Sequence, residues 1–582
     1  MSMRTRRGRY IKQSIAFSFV FLLLNGAWGL EGAVDKQVAL AAPMGPSNAG
    51  ASSDSIMQGM RSPAFETKHW LTEAYWYEIV TLAGTGTPGH EDGSLNEAAF
   101  RYPTGLFVNG KGDLLAADSL NHMIRKLTQK QVSTDAGAWL GEQSAGTPNG
   151  GWYDSNAKES LFSEPSAVAE AADGTIFVAD TGNHVIRKID RSGQVTTLAG
   201  DGLAGYKDGI GTKARFHSPR GIAIGENGIV YVADSLNHVI RSIDANGKVT
   251  TLTAPSARIV EYSKGTVTAA GDYQDGELAK AKFNEPSALL YASSGRLIVS
   301  DTGNHRIREI DLMKNQATTL AGGSRHSSKQ IYGDNELYAP GGYKDGTAQQ
   351  AAFNAPVGIT MMKDGSLIVA DRDNHSIRLI HQGKVYTVAG HPEAPGFQDG
   401  IAAYASFHEP TGVAVLPTGE VAVSDSFNNT IRLLKRYQLP QQAGSNLESG
   451  NHAPKMVYNQ QIIKSDSPPI NKEGVTYLPI RALGDAIGIT SKWDQKSGKA
   501  AFVAADAAYH FEPDKQTVLK QSGDSETTLT MQQAPFLEKG RLYVPVRFFA
   551  EQFGLRVDWI HELNMIVVRD LTYIRFVDQS SS

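Results

Sequence analysis

The residues best suited to chemistry recur. The octapeptide Asp-x-x-Asn-His-x-Ile-Arg occurs at Asp118 to Arg125, Asp180 to Arg187, Asp234 to Arg241, Asp301 to Arg308 and Asp371 to Arg378. A sixth copy, Asp425 to Arg432, carries Asn429 in place of the His. Five histidines in register invite a metal-binding reading. The spacing argues otherwise, because intervals of 62, 54, 67, 70 and 54 residues put one copy in each structural unit. Equivalent points of a repeated scaffold lie too far apart to share an ion at ~2 Å. Turn chemistry accounts for the set: Asp accepts backbone N–H groups, Gly182, Gly303 and the Asn positions supply positive φ, and His and Arg bond across strands or between units. The Asp-Gly pairs at Asp92, Asp208, Asp275, Asp345 and Asp399 read as turns of the same repeat.

Other motifs with catalytic spacing fail on context. Gly84-Thr-Gly86-Thr-Pro-Gly89 and Gly200-Asp-Gly202-Leu-Ala-Gly205 fit a dinucleotide fingerprint, but neither opens a helix in a βαβ unit. The phosphate-loop spacing from Gly84 to Gly89 continues with His90 rather than Lys. His561-Glu562 lacks the second His of a zinc-protease helix, since position 565 is Met, and no Gly-x-Ser-x-Gly elbow occurs.

The elements around the octapeptide are short and β-branched. Each copy follows an apolar stretch such as residues 175–179, Thr-Ile-Phe-Val-Ala, and upstream of that stands Phe-x-x-Pro-x-(Gly/Ala), beginning at Phe100, Phe162, Phe216, Phe283, Phe353 and Phe407. A segment like Val195-Thr-Thr-Leu-Ala-Gly200 closes most copies. Four strands per unit and six units predict a β-propeller. Residues 79–84, Ile-Val-Thr-Leu-Ala-Gly, are a fourth strand ahead of the first unit, while the sixth unit lacks one of its own. The N-terminal strand is therefore expected to complete the last blade and close the ring, removing exposed edges. These units resemble NHL repeats. The resemblance covers about residues 78–437 and implies a six-bladed propeller, a fold used mainly as a binding platform and sometimes as an enzyme.

Function is sought where the blades differ. The turn after the second strand and the loop after the fourth share a face, which carries the long segments 133–152, 254–272 and 322–342 with Trp139, Trp152, Tyr332 and Tyr338 as candidate ligand contacts. The x of Pro-x-Gly, beside the channel mouth, is Thr104, Ser166, Arg220, Ser287, Val357 and Thr411. Arg220 is the one charged member, placed either to meet an anionic group or to make a rim salt bridge. The fold also resembles propeller lyases that release amidated peptides, in which this region supplies zinc-binding His; none of the six is His, which lowers that reading.

At the N-terminus, Arg4, Arg6, Arg7, Arg9 and Lys12 precede the apolar run Ile15 to Leu24, the pattern of a secretory signal peptide rather than a membrane span. The whole chain has 582 residues, no Cys, 59 Gly, and 56 Lys and Arg against 60 Asp and Glu. The missing thiols exclude disulfides and Cys-ligated metals. Removing the five leader cations moves the net charge from −4 to −9, which repels phosphate backbones and argues against nucleic acid.

Beyond a polar linker a second repeat appears: Tyr477-Leu-Pro-Ile-Arg-Ala-Leu-Gly-Asp-Ala-Ile-Gly488 parallels Tyr543-Val-Pro-Val-Arg-Phe-Phe-Ala-Glu-Gln-Phe-Gly554. Each predicts a strand, a short helix with Pro in its first position and Gly at its stop, and a second strand. This half resembles the N-terminal domain of copper amine oxidases, without the Asn-Tyr-(Asp/Glu) or His-x-His motifs of their catalytic domain; it holds only His452, His510 and His561.

The chain is thus expected to be mainly β, with a signal and processing region (1–42), a linker (43–75), a six-bladed propeller (76–437), a linker (438–455) and a small α+β domain (456–582). The expected role is an exported, non-catalytic binding or scaffold protein, secreted or held at the cell envelope. Its propeller engages a protein, peptide or glycan on the long-loop face, and its C-terminal module serves as stalk or anchor with possible cell-wall contact. No catalytic residue, cofactor or metal ligand is assigned, and no stable membrane span remains after signal cleavage. The alternative is a metal-dependent lyase or lactonase with Ca or Zn in the channel.

Overall fold

The computed structural model describes residues 77–570 apart from 144–145, 324–330, 334, 393–394, 440–453, 466, 495–497, 505 and 561–563. The signal peptide, the first linker and most of the second linker lie outside the described residues. The chain is mainly β.

Six antiparallel sheets form the blades. In the first, Pro103–Val108, Leu114–Asp118, Met123–Leu127 and Gln131–Ala136 run from the channel outward. The first strands of successive blades are neighbours all the way round, with Pro410–Val415 of blade six returning to Pro103–Val108 of blade one. Tyr77–Ala83 pairs with Thr430–Arg436 and completes blade six, as the repeat count predicts. Five of the six blades also carry a two-residue outer strand, such as Gly209–Ile210, which the sequence pattern does not announce.

Apolar side chains of alternating strands fill the spaces between blades. Phe216, Val232, Ile186 and Ala199, for example, pack where blades two and three meet. Near the channel the blades touch through backbone. A Cβ on Gly412 would lie 2.0 Å from the Thr104 carbonyl oxygen, and one on Gly358 would lie 2.2 Å from that of Thr411. This contact between blades is why Pro-x-Gly keeps its glycine.

The octapeptide folds as a single 3-10 turn followed by a residue in the left-handed region. That residue is His122, His184, His238, His305, His375 or Asn429, with φ between 49° and 59°. The expected positive φ at Gly182 and Gly303 is not observed, nor is it at Asn121 or its equivalents. Gly182 is small for another reason: a Cβ there would meet the Ser163 side chain at 2.5 Å. The long segments need two corrections as well. Gln131–Ala136 is strand, so the first loop begins at 137, and Ile259–Ser263 pairs with Thr266–Ala269 as a hairpin within the second.

In the C-terminal module, Val475–Pro479, helix Ile480–Ala486 and Thr490–Asp494 repeat as Arg541–Pro545, helix Val546–Phe553 and Leu555–Ile560. The two Pro-ending strands pair with each other, Leu478 opposite Val544. Pro479 and Pro545 occupy the helix N-caps, one residue earlier than expected. The last strand of the first copy, Thr490–Asp494, opens a five-stranded meander that runs to Ser525–Thr530. Phe502 and Phe511 from this sheet join Leu483 and Phe549 in one core. Tyr437, at the end of the propeller, packs on Val457, Met565 and Val567, donates its hydroxyl to the Asn459 carbonyl, and lies 4.8 Å from the Arg569 guanidinium.

Candidate functional site

The repeated residues build a girdle. In blade four, Asp301 Oδ1 accepts the Asn284 N–H, while Oδ2 accepts Asn304 Nδ2 and Arg308 Nη1 at 2.8 and 2.7 Å. Nη2 of Arg308 reaches Asp275 of the Asp-Gly pair at 2.6 Å. The guanidinium lies between the rings of Tyr273 and Phe283, 4.8 and 4.5 Å from their centroids. All six repeat arginines are fully buried in this way, and their outer partners are Asp92, Asp154, Asp208, Asp275, Asp345 and Asp399. Asp154 escaped the Asp-Gly pattern because Ser155 follows it. Burial pushes the carboxyls of Asp180, Asp234 and Asp371 up to about 6, against the pull of the paired arginines. These aspartates are structural, and their acceptor capacity is spent within the blade.

The histidines join each blade to the next. Nδ1 of His122, His184, His238, His305 and His375 accepts the backbone N–H of Glu164, Ser218, Glu285, Ala355 and Glu409 at 2.8 to 3.2 Å. Asn429 Oδ1 does the same for Tyr102 at 3.0 Å, closing the ring. An imidazole that accepts a hydrogen bond must be neutral at that nitrogen. Burial lowers His184, His238 and His305 to about 4, which suits that role.

A ring of hydroxyls surrounds the channel mouth. Thr104, Ser166, Ser287 and Thr411, at the x of Pro-x-Gly, each lie 2.6 Å from the hydroxyl of Ser119, Thr181, Thr302 or Ser426 in the turn. Those turn hydroxyls, with Ser235, donate to a proline carbonyl of the following blade at 2.5 to 2.7 Å. The relay is interrupted in two blades. In blade three Arg220 stands at the x position. In blade five Val357 and Arg372 replace both hydroxyls.

At those interruptions charged groups converge. Arg220 Nη1 is 3.8 Å from Glu285 Oε2, and Tyr338 donates its hydroxyl to Glu285 Oε1 at 2.9 Å. Arg372 Nε meets Asp373 Oδ1 at 2.7 Å. Tyr102 lies in the field of Arg372, Glu409 and Arg220, and burial pushes its phenol up to about 12. Burial also raises the carboxyl of Glu285, which Arg220 and Arg372 oppose, and that of Glu409. Tyr102 packs edge-on against Phe427 at 5.4 Å, and Phe427 stacks on His408 at 4.6 Å.

Of the residues singled out from sequence, Arg220 and Tyr338 meet here through Glu285. The other three lie elsewhere. Trp139 stacks on His90 at 3.8 Å, and Trp152, 42 % exposed, donates Nε1 to Thr197 at 2.9 Å. Tyr332 is buried under Arg258, whose guanidinium lies 3.7 Å above its ring and donates to the carbonyls of Gly271, Glu336 and Leu337. Arg258 thereby ties two long loops together next to Tyr338. Glu285, Glu409, Tyr102, Arg372 and Asp373 were missed. The available signal was the residue before each Pro, together with the one turn that lacks Ser or Thr.

The donor set at the mouth does not fit a zinc ion. The six x positions hold no His, and among the described residues no group of three His, Cys, Asp or Glu could hold a metal. Nor, among the described residues, is any helix long and apolar enough to cross a membrane.

Comparison with known proteins agrees with the repeat. Residues 283–310 and 353–378 match the NHL repeat, and residues 457–568 match the copper amine oxidase N-terminal domain. Protein SUPPRESSOR OF QUENCHING 1, chloroplastic, of Arabidopsis thaliana is 29 % identical over 313 residues, which cover 53 % of this chain and 27 % of that one. NHL repeat-containing protein 2 of Homo sapiens is 30 % identical over 345 residues, 53 % of this chain and 45 % of that one. The chain therefore spans less than half the length of these two relatives. A solved auxiliary nutrient binding protein from Bacteroides thetaiotaomicron aligns over 62 % of this chain and 76 % of its own at 16 % identity and a TM-score of 0.44. The chain is an NHL-repeat β-propeller protein whose C-terminal module is a copper amine oxidase N-terminal domain.

Proposed function

We propose that this is an exported, non-catalytic binding protein that takes its ligand at the channel mouth on the long-loop face. One observation carries the reading. A hydroxyl relay that serves the other blades gives way in blades three and five to Arg220 and Arg372, which sit around the buried Glu285 and its partner Tyr338. Charged groups in place of a working structural contact are what a recognition site requires, because a buried charge costs stability unless something pairs with it. The ligand is a protein, a peptide or a smaller polar molecule presented at the cell envelope, and the C-terminal module acts as stalk or anchor there.

The test is a screen of the purified full chain for thermal stabilisation by amino acids, short peptides and oligosaccharides. A ligand of this site raises the melting temperature of the wild type and of Met313→Ala, which alters an exposed hairpin on the opposite face, but not that of Tyr338→Ala. Stabilisation that survives Tyr338→Ala unchanged would place the ligand elsewhere. The envelope role is checked by sedimenting the full chain with cell walls and with membrane vesicles; a chain that stays in both supernatants removes it.

A further inference from the structure

Almost every sheet edge of this molecule is protected. In the propeller, five blades cover their outer strand with a two-residue strand, and in blade two the Val195 N–H donates to the Ser155 carbonyl at 2.8 Å. The hairpin of the second long loop carries a bulge between Glu261 and Ser263, which twists its edge. Among the described residues the C-terminal module has edge strands of three kinds. Gln461–Ile463, Ile470–Lys472 and Phe536–Glu538 are three residues long, and Thr490–Asp494 and Leu555–Ile560 each carry a cation and a carboxylate. Short and charged edges are the usual protection against pairing with another chain. Ser525–Thr530 has neither device. It runs six residues in unbroken register with Thr517–Ser522, all but Leu529 are exposed, and Glu526 is its one charge.

The hairpin that ends in this strand dictates which backbone groups point outward. Gly523 and Asp524 form a two-residue turn with Gly523 at φ 57°, so Ser522 and Ser525 flank it as a hydrogen-bonded pair. Alternation gives the same role to Thr527, Leu529 and Met531, and the Met531 N–H donates to the Gln516 carbonyl at 2.7 Å. The N–H and C=O groups of Glu526, Thr528 and Thr530 therefore face away from the sheet, on the side where the strand order ends among the described residues.

We infer that Ser525–Thr530 pairs with the same strand of a second copy of this chain, antiparallel about a two-fold axis at Thr528, joining the two meanders into one continuous sheet. The outward groups select this register. Thr528 faces its own copy, Glu526 faces the second copy's Thr530, and Thr527 faces the second copy's Leu529, so each outward N–H meets a C=O. No charge faces a like charge, and paired threonines are favourable cross-strand neighbours. An unrelated extended peptide could use the same backbone groups, but only a second copy supplies the side-chain match by symmetry. Two propellers on one particle raise avidity for a ligand displayed in many copies on a surface, when both mouths can reach it.

Sedimentation equilibrium of the full chain over a wide range of concentration tests this, and the expected result is a monomer–dimer equilibrium. Thr528→Lys places like charges face to face on the axis and weakens the dimer about tenfold or more. Its N–H makes no bond within the sheet, so the dilute variant melts with the dilute wild type. Thr528→Cys gives a second reading. The chain has no other cysteine, and in this register the two copies of position 528 have Cα atoms about 5.5 Å apart, within disulfide range. Mild oxidation crosslinks that variant into a dimer, whereas Thr527→Cys, equally exposed but facing position 529 of the second copy, is not crosslinked. A chain that stays monomeric at every concentration overturns the inference. So does a dimer that Thr528→Lys leaves intact and Thr528→Cys does not crosslink, since its interface then lies elsewhere. Binding of a separate peptide spanning 525–530 to a chain that never dimerises overturns it too, and leaves an edge that takes extended peptides. None of these readouts involves a ligand of the channel mouth, so failure here leaves that reading standing.

Discussion

The girdle and the channel mouth both bury arginines and carboxylates, yet they are built on opposite principles. In the girdle each arginine is held by two carboxylates and lies between aromatic or loop surfaces, and the arrangement repeats in six blades. At the mouth Glu285 Oε2 accepts no hydrogen bond and lies 3.8 Å from Arg220 Nη1, Glu409 has no side-chain partner among the described residues, and the arrangement occurs once. Repetition with every charge paired at hydrogen-bond distance marks a scaffold, although the Nε of five of the six arginines has no hydrogen-bond partner of its own. Departure from the repeat with incomplete satisfaction marks a place where something is to be bound.

The sharpest way to break this contrast is in the girdle. Replacing Arg308 by Leu strands Asp301 and Asp275, and unpairing a buried charge costs about 3 to 5 kcal/mol, so the denaturation midpoint should fall far or the propeller should not fold. Arg308→Lys should recover little, since a single ammonium cannot span both carboxylates.

The next effect is one of pH. His184, His238 and His305 are lowered to about 4 by burial, below the ordinary value of 6.5. Their contribution to stability is therefore present above pH 6.5 and falls away as pH drops towards 4, at about 1.4 kcal/mol per unit for each fully shifted group. The imidazole resonances should titrate near pH 4 by NMR. His238→Asn, copying the residue of blade six, should remove part of the acid sensitivity. If it leaves the acid limb untouched, the neutral-acceptor assignment is wrong.

Asn429→Ala removes the acceptor that joins blade six to blade one and should cost about 1 to 2 kcal/mol in chemical denaturation, leaving the Tyr102 N–H without a partner. The smallest effect is at the mouth. Glu409→Gln should change stability by less than about 1 kcal/mol, or raise it, because it removes a half-buried charge that no described residue pairs with and leaves its backbone N–H bond to His375 in place. A Glu409→Gln loss as large as that of Arg308→Leu would erase the distinction between scaffold and site.

Much of the scaffold was readable beforehand. Asp, His and Arg at fixed offsets from an apolar strand announced turns and inter-blade bonds, and the unpaired strand at residues 79–84 announced the closure. Less of the site was readable. Arg220 stood out as the one charge among six equivalent positions, but its partner Glu285 lies 65 positions along the chain and Tyr338 a further 53. Trp139, Trp152 and Tyr332 looked like ligand contacts because aromatic residues on loops often are, yet each has a local partner. Glu409 and Tyr102 were passed over because the residue before a proline has no fixed role in the repeat.

The sequence alone determined the blade count, the order of strands and the identity of the repeated contacts, because those depend on periodicity and on bonds between residues a fixed number of positions apart. The tertiary structure alone decided which unrepeated residues meet. Ring closure brings blades one, three, four, five and six to a common centre, and the placing of Tyr102 in the field of Arg220, Arg372 and Glu409, and of Glu285 in that of Arg220 and Arg372, depends on that curvature, which no spacing along the chain encodes.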